Sequence, residues 1–392
     1  RAELFAGHFK NVFSNENLNN TLLPTDSIVP HYQIKNTSNQ EIMQIISNMK
    51  LKKSPGYDLI TTKLLLELSH IGIIFMRNLC NAIFRLHYFP KIWKVAQVIA
   101  IPKPGKDSTI VTSYRPISVL PVVSKIFERI FADRLEKIIQ QHSIIPNHQF
   151  GFRKNHSTIQ QIHRVTNKIN TDFDNKRFCA SVFLDVAKAF DKVWHEGLLF
   201  KLKRLLPINF YLILKSYLHE RKFFVRHKDA DSNLYDVTAG VPQGTVLGPI
   251  LYLLFTADVP LPTLPNTMIA TFADDTAILS DTNLKVATNH LQIAVDAITS
   301  WFQFWNLSIN EDKTIQVIFT NKSKFDSLPI YVNGKQIAST QSAKYLGIHL
   351  DGKLNWKNHI TAKCKQIKLQ FNNLQYLLGK HSALSIPNKT LI

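Results

Sequence analysis

The sequence predicts an α+β fold, and three stretches carry that prediction. Residues 179–184, C-A-S-V-F-L, are an apolar, β-prone run that delivers a carboxylate, Asp185, at its C-terminal end. Residues 269–279, I-A-T-F-A-D-D-T-A-I-L, place two apolar arms around Asp274 and Asp275, which reads as a β-hairpin with both acids at its turn. Between residues 284 and 305, Leu284, Ala287, Leu291, Ala294, Ile298, Trp301 and Trp305 recur at helical spacing, with Asp281 or Thr282 available as the cap.

Adjacent carboxylates repel and raise one another's pKa, so an Asp-Asp pair is unfavourable unless a cation lies between the side chains. Hard oxygen donors of this kind suit Mg²⁺. Alone, Asp274-Asp275 reads as a solvated turn. The stretch from Phe183 to Asp191 changes that reading, because two strands presenting three acids could form a two-metal site. Such a site clamps the attacking and leaving oxygens of phosphoryl transfer. A helix-like segment is expected after Asp185.

With 392 residues, 45% of them hydrophobic, the chain has room for two or three packed domains or one large domain with lobes. The formal charge of +19 favours a polyanionic partner, since neutralising phosphates releases counterions. An anionic membrane competes for that charge, but the basic residues are spread along the chain rather than gathered on one amphipathic helix. Nucleic acid is the better match. No apolar run approaches the roughly 18 residues that span a bilayer, and the charged start lacks the apolar region of a secretory leader. No membrane partner is expected. The Arg1 start and the Leu391-Ile392 end suggest a piece of a longer polyprotein. Cys80, Cys179 and Cys364 stand far apart, which argues against a disulfide framework or a zinc knuckle.

In order along the chain, F-x-D-x-x-x-A-F-D from Phe183, G-V-P-Q-G-T-V-L-G-P from Gly240 and F-A-D-D from Phe272 resemble the three core palm motifs of reverse transcriptases. The Phe-Ala-Asp-Asp form is similar to that of non-LTR (LINE-type) retrotransposon enzymes, and the opening R-A-E-L-F-A-G-H-F-K-N-V-F looks jockey-like. The resemblance runs the length of the chain. It implies a right-hand polymerase: an N-terminal extension and start of fingers over 1–95, fingers and palm over 96–350, and a partial thumb over 351–392. It implies RNA-directed addition of deoxynucleotides to a primer 3′-hydroxyl. Two Mg²⁺ ions about 4 Å apart, with Mn²⁺ as a substitute, would be held by Asp185, Asp274 and Asp275. The implied partners are an RNA template, a DNA primer or target-site DNA, and dNTPs. Nuclear location during integration, and otherwise a cytoplasmic one, follows from the same resemblance.

Glu41 to Met49 has helical spacing and leads into a basic turn at Lys52-Lys53. A Pro/Gly loop after residues 99–101 carries Lys103 and Lys106, and Arg115 precedes Pro116, which biases it toward extended geometry. Lysine and arginine on a strand pair can grip a triphosphate; by resemblance these are the contacts to the incoming nucleotide, with Lys103 and Lys106 not separable by inspection. Ser124 to Gln140 has one apolar face. In Gln149-Phe150-Gly151-Phe152-Arg153, Phe150 and Arg153 could meet a template base, or the two rings simply pack. Ser157-x-x-Gln160 is a capping box opening a helix with Ile159, Ile162, Val165 and Ile169 inward.

By resemblance Phe190 lies beneath the sugar and rejects a 2′-hydroxyl; from the residues alone it is a core aromatic on a helix. Asp191 reads as a structural acid. Gln243 can hydrogen-bond a sugar or base edge, and Gly244 permits close backbone approach; by resemblance this loop lies over the primer–template and nucleotide. Lys313 is by resemblance the basic residue near the pyrophosphate, and otherwise a solvated loop lysine. Asn333-Gly334 signals a hairpin, Tyr345 to Leu350 a strand, and the lysine-rich stretch after Asp351 the helices of a thumb. Two rival functions remain at this point: an RNA-dependent RNA polymerase, and an inactive RNA-binding remnant of a mobile element.

Overall fold

The run 178–184 forms a strand whose side chains are buried from Cys179 onward, so it needs partners on both edges and apolar cover on its faces. The computed structural model describes residues 1–14, 32–52 and 54–391; the Asn-rich link at 15–20 and Lys53 lie outside them. Contacts divide the chain into two units, Arg1–Asn155, Val186–Pro260 and Ala297–Ile309 in one, and His156–Asp185, Leu261–Asp296 and Asn310–Ile392 in the other.

In the second unit Phe178–Leu184 is central in a five-stranded sheet. It lies between Ile315–Phe319 and Asp275–Thr282, with Thr267–Phe272 beyond the latter and Ala338–Ser339 beyond the former. The three middle strands are mutually antiparallel, and Leu184 pairs with Thr276. Helix Thr158–Asp174 covers the sheet, placing Ile162, Val165 and Ile169 in one core cluster with Phe183, Leu279 and Val317. Its capping box forms as the sequence predicts. Ile159, expected inward, is 76% exposed. The reason is polar: Gln161 is buried and donates from Nε2 to the Thr271 carbonyl at 3.0 Å. Ile159 lies about 200° around the helix from it.

Helix Leu284–Phe304 forms as its periodicity requires, but its cap is neither Asp281 nor Thr282. Asn283 Oδ1 accepts the Val286 N–H at 2.9 Å, while Asp281 is held by Lys168 at 2.7 Å and Arg177 at 3.2 Å. Asn333 and Gly334, both with positive φ, make the expected tight turn between Tyr331–Val332 and Lys335–Gln336. The strand expected over 345–350 is instead a hairpin, Ser342–Tyr345 with Ile348–Asp351, because Leu346 and Gly347 both take positive φ. Helix Lys357–Leu378 buries none of its side chains.

In the first unit the sheet order is Tyr114–Val119, Val95–Pro102, Lys222–His227, Ala230–Asp231, with Tyr235–Asp236 also against Lys222–His227. Helix Ala2–Val12 packs Phe5 and Phe9 with Val98 and Phe223. Helix Val122–Gln141 buries the predicted apolar face. The helix expected directly after Asp185 is absent. Val186–Ala187 pairs with Ser308–Ile309, a turn follows, and helix begins only at His195–Leu205. Phe190 therefore sits on a turn, not on a helix. No helix among the described residues is long and apolar enough to cross a membrane.

The Lys168 ammonium ties helix Thr158–Asp174 to the hairpin strand, reaching Asp172 at 3.1 Å and Asp281 at 2.7 Å. Both carboxylates are almost fully buried. Removing the cation leaves Asp172 without its ion-pair partner and Asp281 with Arg177 alone, so Lys168→Met is expected to destabilise the fold by about 3 kcal/mol. Urea unfolding of the variant, against Lys322→Met as an exposed-lysine control, checks this.

Candidate active site

Strand pairing decides where the acids stand. One step beyond the Leu184–Thr276 pair, the antiparallel register sets Asp185 opposite Asp275. The hairpin turn is Ala273-Asp274, closed by the Phe272–Asp275 pair. Ala273 has a left-handed φ of +57°, a strain that a residue with a Cβ adopts only where its surroundings over-determine it. The backbone of Asp185 is gripped from the turn that precedes strand Ile315–Phe319: its carbonyl accepts the Asn310 N–H at 2.7 Å, and its N–H donates to Thr314 Oγ1 at 3.2 Å. Its carboxylate meets Lys313 Nζ at 3.4 Å.

The electrostatics match this crowding. Burial first, then Asp274, then Asp185 push the Asp275 carboxyl up to about 6. Asp274 is half-buried and Asp275 opens to solvent. Among the described residues, no group of three or more His, Cys, Asp or Glu side chains converges as a ready-made metal cage. The donor set itself fits a hard divalent cation, being all carboxylate oxygen, mutually repelling and partly open. Asp185, Asp274, Asp275 and Lys313 thus belong to one unit, with Asp274 and Asp185 near enough to act on the Asp275 carboxyl and Lys313 paired with Asp185.

A second group forms in the other unit. Loop Gly240–Gly248 is pinned to the turn after Ala187 by the Gly240 N–H on the Val193 carbonyl (2.8 Å) and the Val241 N–H on the Phe190 carbonyl (2.8 Å). His195 Nε2 lies 2.7 Å from the Gly240 carbonyl. Burial lowers the His195 pKa to about 4, so the ring is neutral and donates. Gln243 Nε2 donates to Asp191 Oδ1 at 2.9 Å, which makes Asp191 the structural acid expected of it. Burial pushes the Asp191 carboxyl up to about 6, against the pull of Gln243, Lys188, Lys103 and Lys192. Gly244 is required by space: its φ is +104°, and a Cβ there would lie 2.7 Å from the Ser118 carbonyl. The Phe190 ring is half-buried.

Glu128 was not legible as a member of this group. Fully buried, it accepts the N–H groups of Val246 at 2.8 Å and Leu247 at 3.3 Å, together with the Ser124 hydroxyl at 3.0 Å. It therefore caps helix Leu247–Phe255 from another helix. The available signal was an acid and a serine, four residues apart, on an otherwise apolar face. Thr314 and His195 gave no signal at all.

The lysines and arginines divide. Arg115 is exposed on strand Tyr114–Val119, opposite Ile101. Lys103 Nζ donates to the Thr112 carbonyl at 2.8 Å and closes its own loop, whereas Lys106 is exposed near the loop apex. Arg153 is engaged internally, its Nη1 donating to the carbonyls of Pro146 (3.1 Å) and Gln149 (2.9 Å); burial lowers its pKa. Phe150 is half-buried, and Phe152 is the ring of that loop that faces solvent.

Comparison with known proteins agrees with these motifs. Residues 101–350 match the family model of the reverse transcriptase (RNA-dependent DNA polymerase). The chain is 38% identical to a probable RNA-directed DNA polymerase from transposon BS of Drosophila melanogaster, covering 100% of this chain and 45% of that protein. It is 41% identical to the RNA-directed DNA polymerase from mobile element jockey of the same organism, over 90% of this chain and 39% of the relative. It thus spans less than half the length of these relatives. Among solved structures it is similar to an apo telomerase from Candida tropicalis truncated from its C-terminal domain, with a TM-score of 0.46, 12% identity, and coverage of 71% of this chain and 58% of that one. With the family model matching most of its length and the family's acids on paired strands, the chain belongs to the reverse transcriptase family.

Proposed function

We propose that the chain is the RNA-directed DNA polymerase of a non-LTR retrotransposon, extending a primer 3′-hydroxyl with dNTPs on an RNA template. The observation that carries this reading is the register that sets Asp185 opposite Asp275, beside Asp274, in a chain of this family. Those three carboxylates are the residues that would hold divalent ions, Mg²⁺ or in its place Mn²⁺. Bound there, the ions would supply a deprotonated primer hydroxyl and charge neutralisation at the triphosphate. The protein's own part is alignment and electrostatic compensation.

Lys313, which pairs with Asp185 at 3.4 Å, would give a proton to the leaving pyrophosphate. Arg115 and Lys106 are the triphosphate contacts we favour, since the Lys103 ammonium is engaged with Thr112. Gln243, oriented by Asp191, keeps its carboxamide oxygen for the nucleotide or primer–template. Gly244 lets the loop lie close to Ser118. In this reading residues 96–350 supply fingers and palm, 1–95 an N-terminal extension that starts the fingers, and 351–392 the start of a thumb.

Asp274→Ala is expected to lower extension of oligo-dT on poly-rA with dTTP and Mg²⁺ by about 1000-fold or more, with salt-dependent RNA binding retained. Normal extension by this variant would remove the site assignment. A wild-type enzyme that extends with UTP in preference to dTTP would instead be an RNA polymerase.

Asp191 yields a pH test. Its folded pKa of about 6 lies above its unfolded value, so the folded state binds the extra proton between these values and this group's contribution rises as pH falls toward 4. Asp191→Asn keeps an acceptor for Gln243 and removes the buried charge. The variant should be more stable than wild type at pH 7.5, on the order of 2–3 kcal/mol, with the gap narrowing below pH 6 and nearly closed by about pH 4. A gap that does not change with pH in thermal melts would contradict the assignment.

A further inference from the structure

Phe190 stands on a turn, where no helix fixes its side chain. A ring that excludes one hydroxyl group must hold its place against a ligand only an atom larger, and a displacement of about an ångström is enough to lose such discrimination. Something other than regular secondary structure has to hold the ring.

The aromatic neighbours of Phe190 meet that need. Tyr252, from helix Leu247–Phe255 and 1% exposed, stacks on it with centroids 4.3 Å apart and planes 25° apart. Phe152 meets it edge-on, centroids 5.9 Å apart and planes 88° apart. Phe152 is itself held in an unusual backbone conformation, φ +54°, while 54% exposed. The loop that presents it is closed by Arg153 on the Pro146 and Gln149 carbonyls and by the Gly151 N–H on Gln149 Oε1 at 2.8 Å. An exposed phenylalanine on a strained and internally bonded loop needs a reason beyond core packing, and its edge contact with Phe190 supplies one.

We infer that Tyr252 and Phe152 are positioning residues for sugar selection, fixing the Phe190 ring from its face and its edge so that it rejects a ribonucleotide. This rests on the reading of Phe190 as the residue beneath the sugar. It assigns the 149–153 loop to nucleotide choice rather than to stacking on a template base. In each case the contact with Phe190 is made by a ring. Replacing Tyr252 by a smaller residue opens space behind Phe190, into which the ring can yield when a 2′-hydroxyl arrives.

The test is the ratio of kcat/KM for UTP to that for dTTP on oligo-dT/poly-rA, measured with the full chain and accompanied by a melt of each variant. Tyr252→Leu and Phe152→Ala are each expected to raise the ratio by about tenfold, chiefly through KM for UTP, and Tyr252→Phe to leave it near wild type. Phe190→Ala should raise it at least as far, which shows independently whether the underlying reading holds. If Phe190→Ala raises the ratio while Tyr252→Leu and Phe152→Ala only lower the melting temperature, the two residues are structural and the inference is overturned. If Phe190→Ala leaves the ratio unchanged, the gate reading and the inference fall together. Should Tyr252→Leu not fold, Phe152→Ala decides, because its side chain is more than half exposed.

Discussion

The antiparallel pairing of Phe178–Leu184 with Asp275–Thr282 is the constraint on which the candidate active site depends. Every carboxylate there is placed by it: Asp185 by ending one strand, Asp275 by starting the other, and Asp274 by the two-residue turn that the pairing leaves room for. The arrangement works against itself electrostatically: besides burial, the larger cause, Asp274 and Asp185 both push the Asp275 carboxyl up. What opposes the repulsion is the apolar cluster behind the strands, where Phe183, Ala277, Leu279 and Val317 are buried together. Hydrophobic burial is non-directional and large, so it can hold a locally unfavourable polar edge. The strained φ of Ala273 is tolerated on the same grounds.

The loop at Gly240–Gly248 is held by a different kind of force. Little of it is regular structure, and its position comes from hydrogen bonds to Ser118, Glu128, Asp191 and His195. These partners come from a strand, a helix and the turn that leads into helix His195–Leu205. Each is buried or half-buried, where a lost partner costs more than a kept one gains. Directional polar contacts thus set the loop, while apolar packing sets the strands.

That division explains what the sequence revealed. The helices at Val122–Gln141, Thr158–Asp174 and Leu284–Phe304 were legible because periodic burial writes itself into residue spacing. The acid-bearing hairpin and the Asn333-Gly334 turn were legible for the corresponding reason in strands. The failures fall where a long-range polar partner overrides local pattern. Gln161 turned Ile159 outward, Lys168 and Arg177 took Asp281 away from the helix cap, and Arg153 was spent on two carbonyls of its own loop. Leu346 at positive φ carried no turn signal at all. The strand and hairpin positions of the three aspartates were readable from their motifs, but Glu128 and Thr314, which hold the surrounding backbone, were not, since their partners lie more than a hundred residues away.

The same reasoning bears on how tolerant the fold is of change near the chemistry. An acid at the end of a buried strand is held by backbone contacts, as Asp185 is by Asn310 and Thr314, so its side chain can be altered without moving the strand. Gly244 offers no such freedom, because the space its side chain would need is taken by the Ser118 carbonyl. Phe190 lies between these cases: its carbonyl is fixed by Val241, while its ring depends on neighbouring rings. Residues whose backbone is pinned and whose side chain is only packed are those in which specificity can change while the chain path stays the same. In this protein that description fits the aromatic group around Phe190 better than it fits the acids or the glycine loop.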